Sequence, residues 1–125
     1  MKEFEAKVTW SKNELTAKDK IKMKDTTNAV SLDEATQEQN VVIEIANIVE
    51  LDVHNEHSDN KDYKKTVVLA KDGTKYVTGS ESFRRALHDI DDEMTEAGET
   101  DYTVEVFRLD SKNYKGKQFI TCSVV

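Results

Sequence analysis

Seven residues near the C-terminus, Ser111-Lys112-Asn113-Tyr114-Lys115-Gly116-Lys117, place three cations and one aromatic ring between two apolar runs. Lysines this close together can meet successive phosphates of a nucleic-acid backbone, each contact releasing condensed counterions. An aromatic ring on a polar turn offers a face on which an unpaired base stacks, worth roughly 1–3 kcal/mol per base. The competing reading of the same residues is an ordinary turn with Gly116 in a left-handed conformation. Three further rings belong to the candidate set. Tyr63 and Tyr76 lie on adjacent strands expected to form a binding face, and Trp10 lies on the first strand; each competes with burial in a core. A second basic run, Lys18, Lys20, Lys22 and Lys24, is the candidate outer contact.

Catalytic chemistry is poorly provided for. His54 and His57 stand among Asp52, Glu56 and Asp59, but they lack the thiolate set or helical histidine-glutamate motif of a zinc site and read as a polar loop. The acids near Asp91 lack the spacing of a calcium loop and read as a solvated face. Ser80 follows Gly79 without the second glycine of a nucleophile elbow, so its expected role is to cap a helix. Cys122 has no base at recognisable spacing and is expected to be packed in a strand. The four glycines are too scattered for a phosphate-cradling loop. No enzyme activity, metal or cofactor is expected.

The elements that must position the candidate residues are read from periodicity. Phe4, Ala6, Val8 and Trp10 share one face of a first strand at the period of two. Leu15–Lys24 fits either a short helix started by Thr16 or an extended lysine-alternating arm, and Leu32-Asp33-Glu34-Ala35 fits one helical turn. From 41 to 53 the odd positions Val41, Ile43, Ile45, Val49, Leu51 and Val53 form the clearest strand, with a bulge expected near Asn47 where alternation breaks. Asp72-Gly73 between 67–70 and 75–78 is a hairpin signal. Ser80 starts a helix to about Ala97, with Phe83, Leu87, Ile90 and Met94 on one stripe and Gly98 as the stop. Strands at 102–109 and 118–124 complete the chain.

Counted from Val41, the order strand-strand-strand-helix-strand-strand is that of an OB-fold, a five-stranded Greek-key barrel whose first-to-second and fourth-to-fifth loops flank a ligand groove. The expected fold is all-β with one main helix, as a single domain over 1–125. Residues 1–40 supply an added N-terminal strand and arm, and 41–125 the barrel.

The chain has 125 residues, 34% of them charged, and a formal net charge of −7. Such a balance by itself opposes phosphate binding, but its distribution matters more. Asp89, Asp91, Asp92, Glu93, Glu96, Glu99 and Asp101 account for the whole deficit, and elsewhere acids and bases balance. One cysteine, no signal-like leader and no apolar run long enough for a membrane span predict a soluble cytoplasmic protein.

Leu15–Ile21, the Asp-Gly-x-x-Tyr-x-Thr-x-Ser-x-x-Phe run with its Ile-x-Asp-Glu-Met ending at Asp72–Met94, and Ser111–Phe119 together resemble the small single-stranded-DNA-binding proteins of tailed phages and mobile elements of Gram-positive bacteria. The resemblance implies an OB-type protein that coats exposed DNA strands in replication or recombination, without sequence preference, in the host cytoplasm. Single-stranded DNA, with replication or recombination proteins, would be its partners. Many bacterial single-strand binders end in an acidic tail that recruits partners. Here the end is Ser123-Val124-Val125, so recruitment is expected to use another surface, for which the acidic 89–101 segment is available. The alternative class is an acidic phage-encoded inhibitor whose carboxylates imitate DNA phosphates to block a host DNA-processing or defence protein. A scaffolding module without a ligand is a third.

Overall fold

β-branched residues in alternation make Val41–Asn55 the longest strand (β3), and three other strands pair directly with it. The computed structural model describes residues 3–125. Around β3 stand β1 (Phe4–Ser11), β2 (Val30–Ser31), β4 (Asp62–Ala70), β5 (Lys75–Thr78), β6 (Thr103–Asp110) and β7 (Gln118–Val124). Three helices accompany them, α1 (Ala17–Lys24), α2 (Leu32–Glu38) and α3 (Glu81–Glu96). The fold is therefore mostly β with three helices, where the sequence predicted one main helix. Thr16 settles the ambiguity of α1: its hydroxyl accepts from Asp19 N while the Asp19 carboxylate accepts from Thr16 N, a capping box that favours helix over extended arm. In α2 the predicted single turn is extended, anchored by the fully buried Leu32.

Strand neighbours run β2-β5-β4-β3-β6-β7, with β1 also paired to β3. Five of them, β5-β4-β3-β6-β7, form antiparallel ladders around a curled half-barrel compatible with an OB-like fold. A closed barrel would join β5 to β7. Instead the outer edge of β5 carries β2 in parallel register, Val30 opposite Tyr76, and among the described residues no ladder joins β5 to β7.

The bulge expected near Asn47 is present, between the pairs Ile45–Ala70 and Asn47–Leu69. Asn47 Oδ1 accepts from Asn13 N and Ile48 N, each at 2.9 Å, and Asn13 Nδ2 donates to Ala46 O at 2.8 Å. One inserted residue reverses the parity of every later side chain. Ile43, Ile45 and Ile48 thus enter the core beneath α3, while Val49, Leu51 and Val53 turn to the opposite face with Met23 of α1 and Val67. The single odd-numbered face predicted for β3 is corrected to two half-faces. A register shift between Val8 and Trp10 does the same to β1. Ala6 and Val8 join the α1 side, whereas Trp10 crosses to the α3 side and tilts its ring against His88, with centroids 4.7 Å apart.

Ser80 caps α3 through Phe83 N, and Phe83 and Leu87 are fully buried with Ile90 and Met94 packed beside them, as the stripe predicts. Gly98, at φ +77°, closes the helix: its N–H donates to Thr95 O and Glu99 N–H to Met94 O, a Schellman motif. The acidic segment needs correction. Asp91 is buried and paired with Lys12, so the run is only partly a solvated face.

Candidate nucleic-acid interface

Residues 111–117 are the tip of the β6–β7 hairpin, closed below by the pair Asp110–Gln118. Ser111 N donates to Lys117 O at 2.9 Å, Lys117 N to Tyr114 O at 3.1 Å, and Tyr114 N to Ser111 Oγ at 3.3 Å. Gly116 takes φ +82°, a conformation that glycine adopts without the Cβ penalty. The stretch is the expected glycine turn, and that turn presents the Tyr114 ring to solvent. Tyr114 is 65% exposed, with Lys117 Nζ 5.7 Å from its centroid. Among the described residues no carboxylate pairs with Lys112, Lys115 or Lys117.

Below the tip the two faces of the hairpin differ. Val104, Val106, Ile120 and Cys122 enter the core under α3, and Arg108 on the same face binds Thr36 Oγ1 at 3.1 Å and the Asp33 carbonyl, holding α2. Phe107, Leu109 and Phe119 project from the other face, with Leu109 directly opposite Phe119. Leu109 and Phe119 are exposed, Phe107 is half-buried, and Val42 is exposed on the neighbouring part of β3. Sequence reading missed Phe107, Leu109 and Phe119. The signal was available: with Val104 and Val106 assigned to the core, Phe107 and Leu109 have the opposite parity, and large apolar side chains on both faces of a strand call for a second partner.

The remaining candidates are dispersed. Tyr63 lies on the α1 side of the sheet, with Lys65 Nζ 5.7 Å from its ring centroid, whereas Tyr76 packs against the core under α3. The expectation that they share a face fails for a definite reason. A two-residue Asp72-Gly73 turn would pair Tyr76 with Leu69, on the parity of Tyr63. The actual connection is one residue longer, with Ala70 N bonded to Thr74 O, Gly73 N to Ala70 O and Gly73 at φ +93°, so Tyr76 faces Val68 instead. Burial and the nearby Asp72 charge raise the Tyr76 phenol pKa.

Lys20, Lys22 and Lys24 are exposed on α1, which covers the Val49-Leu51-Val53 face. Lys75 Nζ donates to the Lys22 and Asp25 carbonyls at 2.5 and 2.7 Å, capping the end of that helix. A groove of about 550 Å3 between α1 and the β3 bulge is lined by Lys22, Lys75 and Leu69, and another of about 330 Å3 by Val42, Glu44, Lys71 and Tyr76. The two meet at the Asp72-Gly73 turn. Trp10 stands on the α3 side, away from both.

His54 bonds Asp62 and Glu56, each at 2.7 Å, and among the described residues no group of three His, Cys, Asp or Glu side chains is placed to hold a metal. Cys122 is buried, which pushes its thiol pKa up to about 12 and keeps it protonated. His88 Nε2 lies 2.6 Å from Glu50 Oε2, whose other oxygen accepts from Thr66 at 2.8 Å. That hydrogen bond raises the His88 pKa above its ordinary 6.5 in spite of partial desolvation. A raised folded-state pKa stabilises fully below the unfolded value, and the contribution is lost as pH rises through the folded value. Urea melts from about pH 6 to about pH 9 should therefore show a loss of stability that is smaller in His88→Gln than in the parent. His54 is shifted upward too, first by Asp62 and then by Glu56, but is common to both proteins. Equal losses would remove His88 from the pH response.

A family model described as Phage Single-stranded DNA-binding protein matches residues 3–125. No curated protein and no solved structure matches the chain.

Proposed function

The chain belongs to the phage single-stranded DNA-binding protein family, and from that premise we propose that it coats single strands without sequence preference during phage or mobile-element DNA replication or recombination. The observation that carries this proposal is the hairpin tip: an exposed Tyr114 beside three lysines that have no carboxylate partner among the described residues. Rings and lysines engage base faces and phosphates, which every nucleotide possesses, so the contact is indifferent to sequence. The exposed acids of α3, Asp89, Asp92, Glu93 and Glu96, belong to the helix on the opposite side of the sheet from Phe119, which keeps like charge away from phosphate.

The same reading treats residues 1–125 as one binding domain acting in the host cytoplasm, with replication or recombination proteins as further partners and the α1 lysines as an outer contact. Among the described residues no helix is long and apolar enough to cross a membrane.

Titration with oligothymidine at low and raised salt tests the reading. Affinity should fall as salt rises, and Tyr114→Ala should cost roughly 1–3 kcal/mol at every salt, since stacking does not depend on counterions. No binding by the parent at any salt, with a basic DNA-processing protein bound instead, would favour the acidic inhibitor.

A further inference from the structure

We infer that the outer face of the β6–β7 hairpin, Phe107, Leu109 and Phe119, is the platform on which the bases of the bound strand stack, with the 111–117 tip holding the adjoining phosphates. This deepens the single-strand-binding reading and rests on it. The opposite face of the same hairpin is closed by Val104, Val106, Ile120 and Cys122 under α3, so packing within the chain already uses the one apolar face it needs. A second apolar face, with Leu109 46% and Phe119 37% exposed, has no such use.

Geometry and charge together select the occupant. Phe119 stands opposite Leu109 and diagonal to Phe107. Diagonal positions on a sheet lie about 7–8 Å apart, close to twice the roughly 3.4 Å rise between stacked bases, which leaves room for one base between two side chains. An apolar face alone would suit another protein. This one leads into Tyr114 and three lysines that have no carboxylate partner among the described residues, so it suits a ligand that alternates flat apolar rings with negative charge, and a single strand of nucleic acid has that character. Glu105, on the same face, lies at the end far from the tip, where its carboxylate accepts from Asn40 Nδ2 at 3.4 Å.

Two variants of the full chain test the platform by oligothymidine titration at several salt concentrations, with thermal melts to verify folding. Phe119→Ala should weaken binding about 5-fold to 100-fold at every salt without changing the slope of log affinity against log salt. Phe119→Trp, made with Trp10→Phe so that only the new indole emits, should be quenched by the oligonucleotide. If the parent binds while Phe119→Ala binds equally well, or the indole at 119 is unmoved by saturating DNA, the platform is wrong and the single-strand reading stands. If the parent does not bind, both fail. A change in sedimenting mass on Phe119→Ala with affinity intact would make the face a contact between copies and overturn the inference.

Discussion

Replacing Lys12 by methionine should destabilise the protein by about 3–5 kcal/mol, although Lys12 lies just outside a strand and makes a single ion pair. Its ammonium lies 2.8 Å from Asp91 Oδ1, with the two side chains only 5% and 6% exposed. Tyr102 OH donates to the same oxygen at 2.9 Å, and Lys12 Nζ stands 5.2 Å from the Tyr102 ring centroid. Burial, and then the bond to Asp91, hold the Tyr102 phenol far above its ordinary pKa. Removing the cation leaves the Asp91 carboxylate with only the Tyr102 hydroxyl to compensate it in a site that water hardly reaches, and this desolvation, more than the lost attraction, sets the size of the effect. Combining Lys12→Met with Asp91→Leu should therefore cost less than the sum of the two single changes, because the double variant strands no charge. Urea melts of the four proteins measure the coupling. A Lys12→Met variant within about 1 kcal/mol of the parent would place the pair among weak surface bridges.

Asp91 also marks the limit of what the sequence discloses. It follows Leu87 by four residues and so lies on the apolar stripe of α3, yet its neutralising partner is 79 residues away and only the fold brings the two together. The stripe and caps of α3 are legible because they depend on residues within one or two turns. The β3 bulge is legible as a break in alternation, but its consequence, the reversal of faces, depends on where the extra residue sits in the ladder. Tyr63 and Tyr76 show the same sensitivity, since one residue in the turn at Asp72-Gly73 decides whether they share a face. Tyr114 and its lysines were legible because a hairpin tip is local. Phe107 and Phe119 are legible only by parity, once α3 is known to bury Val104, Val106 and Ile120 on the other side.

Replacing Lys112, Lys115 and Lys117 together by alanine should weaken oligothymidine binding about 100-fold at 0.1 M salt. It should also flatten the plot of log affinity against log salt by about 2. Each lysine that meets a phosphate releases counterions with a single-strand slope of about 0.7, so three contacts supply about 2.1, which at 0.1 M salt is also the loss in log affinity. Folding should survive, because the three side chains are exposed and the turn is held by backbone bonds among Ser111, Tyr114 and Lys117. Stacking residues are separable by the same plot: Tyr114→Ala lowers the line without tilting it, whereas the lysine variant tilts it. Extrapolated to 1 M salt, where the counterion contribution vanishes, the lysine variant should therefore converge on the parent. A folded triple variant with the parental slope would mean that the phosphates lie elsewhere. The α1 lysines, Lys20, Lys22 and Lys24, are then the next set to neutralise.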